Sequence, residues 1–215
     1  MTGVCRLKCR LEFVERAVIM VGCALILAAG LSCRHPESSR AASGTSDLYT
    51  YDVGRLPPVD STLEVSVGDR APGFSLPSLR GETVSLKQFR GRKNVVLSFV
   101  PAAWTPVCSG QWPGYNLADE VFERHDTVLL GITVDNLPTL AAWVREMGGV
   151  WFYVLSDFWP HGQVARKYGV LRSDGTSERA LFVIDKQGGI RYIDVHNINE
   201  RPDLEVLVKQ LRALP

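Results

Sequence analysis

From Leu63 to the C-terminus, apolar runs alternate with amphipathic stretches, and this alternation constrains the fold more than any other feature of the chain. The sequence predicts strands at 95–100, 128–134, 152–155, 181–185 and 190–195, and helices at 106–123, 137–147, 161–168 and 202–214. Runs such as 128–132 are apolar almost throughout, which is typical of strands covered on both faces. Gly-containing turn residues at 185–189 predict a hairpin between the last two strands. We therefore expect an α/β domain whose central mixed sheet has one antiparallel edge and is flanked by helices.

The residues before this domain divide into a signal-like segment and a polar linker. Residues 1–16 carry four basic and two acidic side chains, and residues 17–32 carry no charge. This order is typical of a secretory signal, and the uncharged run is shorter than the roughly 20 residues that a membrane-spanning helix needs. Residues 34–62 are rich in Ser, Pro, Gly and Arg and lack hydrophobic periodicity, which indicates a flexible tether. The predicted boundaries are 1–33, 34–62 and 63–215.

The signal-like segment ends in small and apolar residues that lead into Cys33. This sequence resembles the lipobox of bacterial lipoproteins, in which the cysteine becomes the lipidated first residue of the mature protein. Gly30 and Ser32 depart from the usual pattern, so ordinary cleavage and an uncleaved anchor stay open as alternatives. The resemblance implies a bacterial lipoprotein that is attached to the membrane outside the cytoplasm through Cys33.

Charge and cysteine placement exclude several classes of function. The chain has 24 basic and 23 acidic side chains, and this balance leaves no basic patch for nucleic acid. The four histidines have no metal-ligand spacing with one another or with Cys108, so neither a metal nor another cofactor is expected. The other cysteines lie at or before residue 33, which leaves Cys108 as the only thiol of the domain and precludes a disulfide framework there.

Cys108 follows a predicted strand at the start of a predicted helix. Pro106 suits the first helical position, and Thr105 before it suits the N-cap. Cys108 then falls in the first turn, where unpaired backbone N–H groups and the helix dipole favour the thiolate. A free cysteine is often a buried packing residue. Its place at a strand-to-helix junction, where open α/β sheets bind their ligands, favours a reactive thiol instead.

These residues carry a family resemblance. Pro101, Thr105 and Cys108 match the Pro-x-x-x-Thr-x-x-Cys motif of peroxiredoxins, which are thiol peroxidases with a thioredoxin-like fold. Residues 71–74, 85–86 and 89 look like the opening strand and loop of that family. Residues 155–162 and 168–170 are similar to its one-cysteine subgroup, alkyl hydroperoxide reductase E. The resemblance extends from about Val65 to the C-terminus.

The resemblance implies a mechanism and a role for four residues. The Cys108 thiolate would attack hydrogen peroxide or an organic hydroperoxide and become a sulfenic acid. Thr105 would hydrogen-bond the thiolate and the peroxide, and Pro101 would shield the thiol from water. Arg179 occupies the place of the family's arginine, whose charge would stabilise the thiolate and the leaving oxygen.

Regeneration of the thiol needs a partner that this domain lacks. One branch of the family has a second cysteine five residues after the reactive one, where this chain has Pro113, and no cysteine follows Cys108. We therefore expect an external reductant, either a low-molecular-weight thiol or a thioredoxin-like protein. Gln111 replaces the glutamate of the subgroup, which puts the preference for a thiol partner in doubt. A homodimer stays open.

Two other functions remain as alternatives. An exported thiol-disulfide oxidoreductase of the same fold would need a Cys-x-x-Cys pair, which this chain lacks. A non-catalytic binding module would not need Thr105, Cys108 and Arg179 together.

Overall fold

The computed structural model describes residues 50–214, which form a mixed sheet with helices on both faces. The strands are β1 (Ser75–Pro77), β2 (Thr83–Ser85), β3 (Asn94–Phe99), β4 (Thr127–Thr133), β5 (Tyr153–Ser156), β6 (Arg179–Ile184) and β7 (Ile190–His196). The helices are α1 (Pro106–Gly114), α2 (Asp119–Arg124), α3 (Leu137–Glu146), α4 (Gln163–Tyr168) and α5 (Leu204–Arg212), with short 3₁₀ turns at Leu86–Phe89 and Tyr115–Ala118. This architecture confirms the predicted α/β fold.

The central sheet has the strand order β5-β4-β3-β6-β7, and β1 and β2 form a separate antiparallel pair. Strands β3, β4 and β5 run parallel, whereas β6 runs antiparallel to both β3 and β7. The predicted antiparallel edge is confirmed, because the β6–β7 hairpin forms one end of the sheet and its edge strand β7 pairs antiparallel with β6. The hairpin was also predicted correctly, and β6 is its strand that pairs with β3.

Both faces of the sheet are buried. Along β3, Val96 belongs to the apolar cluster on one face and Leu97 to the cluster on the other. Because side chains alternate between the faces of a strand, an apolar residue at every position requires two covered faces. The burial of both faces therefore explains why the strands appear in the sequence as near-continuous apolar runs. The second cluster, which contains Val96, also contains Cys108 and the indole of Trp112.

The single helix predicted at 106–123 is wrong, because this stretch is divided into α1, a 3₁₀ turn and α2. Pro113 lies in the last turn of α1. A proline has no N–H to donate to the carbonyl four residues earlier, so the α-helical ladder weakens there and the chain continues as a tighter turn. Helix α3 agrees with the prediction to within one residue, and its Asn136 cap accepts a hydrogen bond from the Thr139 N–H. Within residues 50–214, no helix is long and apolar enough to cross a membrane.

Residues 50–62, which we call the strap, contain neither helix nor strand. They are the second part of the predicted tether, and residues 1–49 lie outside the described part of the chain. The strap is held against the domain by its backbone. The Leu56 N–H donates to the side-chain oxygen of Asn199 at 3.1 Å, and the side-chain nitrogen of Asn199 donates to the Leu56 carbonyl at 2.9 Å. Further along, the Asp60 N–H donates to the Glu178 carboxylate at 2.6 Å.

Candidate active site

The loop that follows β3 leads directly into α1 and places Cys108 in the first turn of that helix. Pro106 is the first helical residue, and Thr105 has the extended backbone of an N-cap, with φ −97° and ψ 147°. Trp104, one residue earlier, has a φ of 63°, which is uncommon for a residue with a side chain. The loop is thus a sharp turn that brings the helix N-terminus against the end of the sheet.

Three hydrogen bonds from distant segments hold this loop in place. The Ala103 N–H donates to the Asp135 carboxylate at 2.8 Å, just beyond the end of β4. The Ser177 hydroxyl donates to the Val100 carbonyl at 2.8 Å. The strap supplies the third bond, in which the Tyr51 N–H donates to the Trp104 carbonyl at 2.6 Å. No local pattern in the sequence indicates these contacts, because each joins residues that are far apart along the chain.

The thiol of Cys108 lies beside the guanidinium of Arg179. Both residues are buried, with 0% of Cys108 and 1% of Arg179 exposed. Nη2 of Arg179 donates to the Cys108 sulfur at 3.4 Å and also to the Ile198 carbonyl at 3.1 Å, and Nη1 donates to Oε1 of Gln111. The guanidinium is therefore held by hydrogen bonds to three groups, and one of its donors points at the sulfur.

The register of the sheet explains why Arg179 reaches this point. Arg179 is the first residue of β6, and Ala180 pairs with Phe99 at the end of β3, next to the loop that carries Cys108. Leu181 and Val183 belong to the same apolar cluster as Cys108. Residues two apart in a strand share a face, so the Arg179 side chain also lies on the α1 side of the sheet.

Gln111 connects the arginine to a buried chain of hydrogen bonds. Its side-chain amide donates to the Tyr115 hydroxyl at 2.9 Å, which lies 3.3 Å from the Ser98 hydroxyl on β3. Burial raises the pKa of Tyr115, so this phenol stays protonated. The sequence marked Gln111 as a departure from the subgroup, and the structure places it in direct contact with the arginine that holds the thiol.

Thr105 lies at the predicted place, but its side chain does not cap the helix. Its hydroxyl donates to the Ala102 carbonyl at 3.0 Å, and it makes no capping hydrogen bond in the described structure. The expected N-cap is therefore correct for the backbone and wrong for the side chain. Donation to Ala102 leaves the oxygen lone pairs of Thr105 available as acceptors.

A cleft of about 700 Å³ lies beside the reactive loop and Arg179, and the buried Cys108 is not among the residues that line it. Pro101, Thr105 and Arg179 line it, and strap residues 52–56 form part of its wall. Within residues 50–214, no group of three His, Cys, Asp or Glu side chains could hold a metal ion. Cys33, the predicted lipid attachment point, lies outside the described residues.

Comparison with known proteins connects this site to one family. Residues 67–193 match the model of the AhpC/TSA family. Alkyl hydroperoxide reductase E of Mycobacterium tuberculosis is 38% identical over 153 residues, which cover 70% of this chain and 98% of that protein. The chloroplastic 2-Cys peroxiredoxin BAS1 of Hordeum vulgare is 31% identical over 158 residues, which cover 69% of this chain and 74% of that protein.

Solved structures agree on the fold. The reduced 2-Cys peroxiredoxin of Plasmodium vivax matches 69% of this chain and 81% of its own, with a TM-score of 0.64 and 29% identity. Mycobacterium tuberculosis AhpC matches 69% of this chain and 92% of its own, with a TM-score of 0.63 and 22% identity. These matches confirm the predicted thioredoxin-like fold.

Proposed function

The chain belongs to the AhpC/TSA family of peroxiredoxins, which are thiol-dependent peroxidases, and from this premise we propose that it reduces hydroperoxides through a one-cysteine cycle at Cys108. One observation carries the proposal. The sulfur of Cys108 accepts a hydrogen bond from the buried Arg179 guanidinium, and the described part of the chain contains no second thiol. The arginine can assist the oxidation of the sulfur, and residues 50–214 offer no cysteine that could reduce it again.

In the first step, the Cys108 thiolate attacks the terminal oxygen of the hydroperoxide. A sulfur–oxygen bond forms, the oxygen–oxygen bond breaks, and the departing alkoxide takes a proton to leave as an alcohol, or as water from hydrogen peroxide. The sulfur loses two electrons and becomes a sulfenic acid. Arg179 stabilises negative charge on the attacking sulfur and on the leaving oxygen. The Thr105 hydroxyl and Pro101 line the path by which the peroxide arrives.

In the second step, an external thiol attacks the sulfenic sulfur of Cys108 and water leaves, which forms a mixed disulfide. A second thiol then attacks that disulfide, restores the Cys108 thiolate and departs as the oxidised reductant. Two thiols are consumed for each peroxide. The reductant is a low-molecular-weight thiol or a thioredoxin-like protein.

Stopped-flow fluorescence of the full chain, purified in detergent, tests the oxidation step. Trp143 donates its indole N–H to Ser109, the neighbour of Cys108, so oxidation of the thiol should change the intrinsic emission. We expect a second-order reaction with hydrogen peroxide and stoichiometric trapping of a sulfenic acid on Cys108 by dimedone. Cys108→Ser should show neither signal, and a Cys108→Ser trace as fast as that of the unmodified chain would refute the proposal.

Cys33→Ser is the matched control for the one-cysteine cycle. It removes the last cysteine before the domain and should leave both the oxidation rate and dimedone labelling unchanged. After peroxide alone, mass spectrometry should find Cys108 as a sulfenic acid. A disulfide between Cys108 and any other cysteine of the protein would overturn the one-cysteine cycle while leaving the peroxidase activity intact.

We also propose that Cys33 attaches the enzyme to the membrane outside the cytoplasm. The support is the sequence alone, namely an uncharged run that ends in small residues and a cysteine. Intact-mass analysis of the membrane fraction should find a mature protein that begins at a lipid-modified Cys33. A different N-terminus, or an unmodified cysteine, would refute this attachment.

A further inference from the structure

The strap lies ahead of the part of the chain that matches the family model, which begins at residue 67. It nevertheless reaches the active site. Strap residues Val53 and Leu56 line the same cleft as Thr105 and Arg179. Part of the wall of the active-site cleft is therefore formed by a segment that lies outside the family match.

The strap is fastened on both sides of the cleft. At one side, Tyr51 bonds to the carbonyl of Trp104, next to the reactive loop. At the other, Asn199 makes two hydrogen bonds with Leu56, and the Ile198 N–H donates to the Pro58 carbonyl at 3.1 Å. Because these bonds join backbone atoms of the strap, they fix its position whatever side chains it carries. The side chains of Val53 and Leu56 are thus not needed to hold the strap in place, and they line the cleft.

Deeper in the domain, a buried ion pair also holds the strap. Arg172 and Glu178 form a pair at 2.6 Å, and their side chains are 1% and 0% exposed. Each partner also bonds to the strap, since Arg172 donates to the Pro57 carbonyl at 3.2 Å and Glu178 accepts from the Asp60 N–H. Because both members of this buried pair also hydrogen-bond the backbone of the strap, the pair helps to hold the strap in one position.

The size and lining of the cleft indicate what it binds. Hydrogen peroxide needs on the order of 60 Å³ if each oxygen occupies the volume of a water molecule. The cleft holds about 700 Å³, which is in the range of small-molecule sites. Its lining includes apolar side chains from the reactive loop, α1, the strap and the segment after β7, namely Val53, Leu56, Pro101, Ala102, Pro106, Val107 and Ile198. Most of this volume has no use in binding hydrogen peroxide.

We propose that Val53 and Leu56 of the strap are specificity-determining residues that favour hydroperoxides with an apolar organic group over hydrogen peroxide. The inference rests on the proposed peroxidase activity at Cys108 and deepens it. The reacting oxygens would sit near Arg179, and the organic group would lie against the strap. Burial of that group gives binding energy that hydrogen peroxide cannot gain.

The test compares two peroxides on the full chain and on strap variants. Second-order rate constants for hydrogen peroxide and cumene hydroperoxide are measured by stopped-flow fluorescence. The double variant Val53→Ala, Leu56→Ala should lose about tenfold in rate with cumene hydroperoxide, because a pocket that loses a few methyl groups loses roughly that much discrimination. Its rate with hydrogen peroxide should stay within about twofold of the unmodified chain.

Val59→Ala is the matched control, because Val59 belongs to the strap, is 45% exposed and does not line the cleft. It should change neither rate. Asn199→Ala, which detaches Leu56 from the segment after β7, should lower the rate with cumene hydroperoxide as well. Circular dichroism and thermal unfolding verify that each variant folds.

The outcomes separate the inference from the function on which it rests. A fall in both rates by the same factor, or no change with cumene hydroperoxide, would overturn the role of the strap while Cys108 still reacts with peroxide. A full chain in which neither peroxide oxidises Cys108 would overturn the proposed function itself.

Discussion

Replacing Arg179 by methionine tests the link between the buried cation and the reactivity of the thiol. Methionine keeps an unbranched side chain of similar reach but has neither the charge nor the donors. The sulfur of Cys108 would lose the donor that lies 3.4 Å away, and the Ile198 carbonyl and Gln111 would lose theirs. We expect a large fall in the rate of peroxide reduction.

The size of this fall follows from the contact. A hydrogen bond to a charged group contributes about 1.5–3 kcal/mol, which corresponds to a loss of roughly 10- to 150-fold in rate. The upper part of this range applies if the arginine also stabilises the leaving oxygen, whose charge exists only in the transition state. Arg179→Lys keeps a positive charge but not the planar fork, so its rate should lie between those of the methionine variant and the unmodified enzyme.

The assay is the second-order rate constant for hydrogen peroxide, measured by stopped-flow fluorescence at constant pH and ionic strength. Arg201→Met is the matched control. Arg201 is exposed and donates to the Gly110 carbonyl of α1 at 3.3 Å, so this variant also removes a positive charge that contacts α1, but one that does not touch the sulfur. It should react as fast as the unmodified chain. If Arg179→Met stays within about threefold of the unmodified rate, the contribution assigned to this hydrogen bond is refuted.

Three further predictions concern stability. Glu178→Gln removes the buried carboxylate that pairs with Arg172 and leaves only Asp174, at 3.7 Å, near that charge, so it should lower the free energy of unfolding by about 3 kcal/mol. Urea titration measures this loss, and one below about 1 kcal/mol would contradict it. Hydrogen bonds from two lysine side chains lower the pKa of Asp126 to about 2, so the carboxylate stabilises the fold at neutral pH and this effect disappears as pH falls from about 4 to 2. Asparagine tolerates the φ of 52° at this position, so Asp126→Asn tests the charge alone. The variant should melt at a lower temperature than the unmodified chain at pH 7 and at the same temperature near pH 2. An equal difference in melting temperature at both pH values would exclude the carboxylate charge as the cause. In Gly169→Ala, the added Cβ would lie 2.2 Å from the Glu64 nitrogen at a φ of +71°, so calorimetry should show a loss of about 2 kcal/mol or more, and an unchanged melting temperature would contradict the strain.

The sequence predicted the elements of the fold whose signals are local. Each central strand lies within two residues of its predicted bounds, because a strand buried on both faces must be apolar almost throughout. The start of α1 was equally clear, since Pro106 and Thr105 mark it directly. The break at Pro113 has a local cause too, and the residue itself was visible in the sequence.

Features that depend on distant pairing could not be derived from local pattern. No periodicity indicates that β6 pairs with β3, so its internal position had to come from the structure. Arg179 was identified only through the family resemblance, because a single arginine before a strand is usually a solvated charge. The docking of the strap had no signal at all. Its residues are mostly exposed, and it is held by hydrogen bonds of its backbone, which any sequence can form.

The pairing of β6 with β3 also has a consequence for how the enzyme matures. Cys108 and its arginine are 71 residues apart, and their contact requires that the chain first close this long loop. Contacts of such separation are entropically costly and belong to the slow part of folding. In a newly made chain, the sulfur of Cys108 therefore lacks the Arg179 donor until this loop has closed. Rapid reaction with peroxide should therefore appear only when Arg179 has reached Cys108, so the reaction rate reports the formation of this contact.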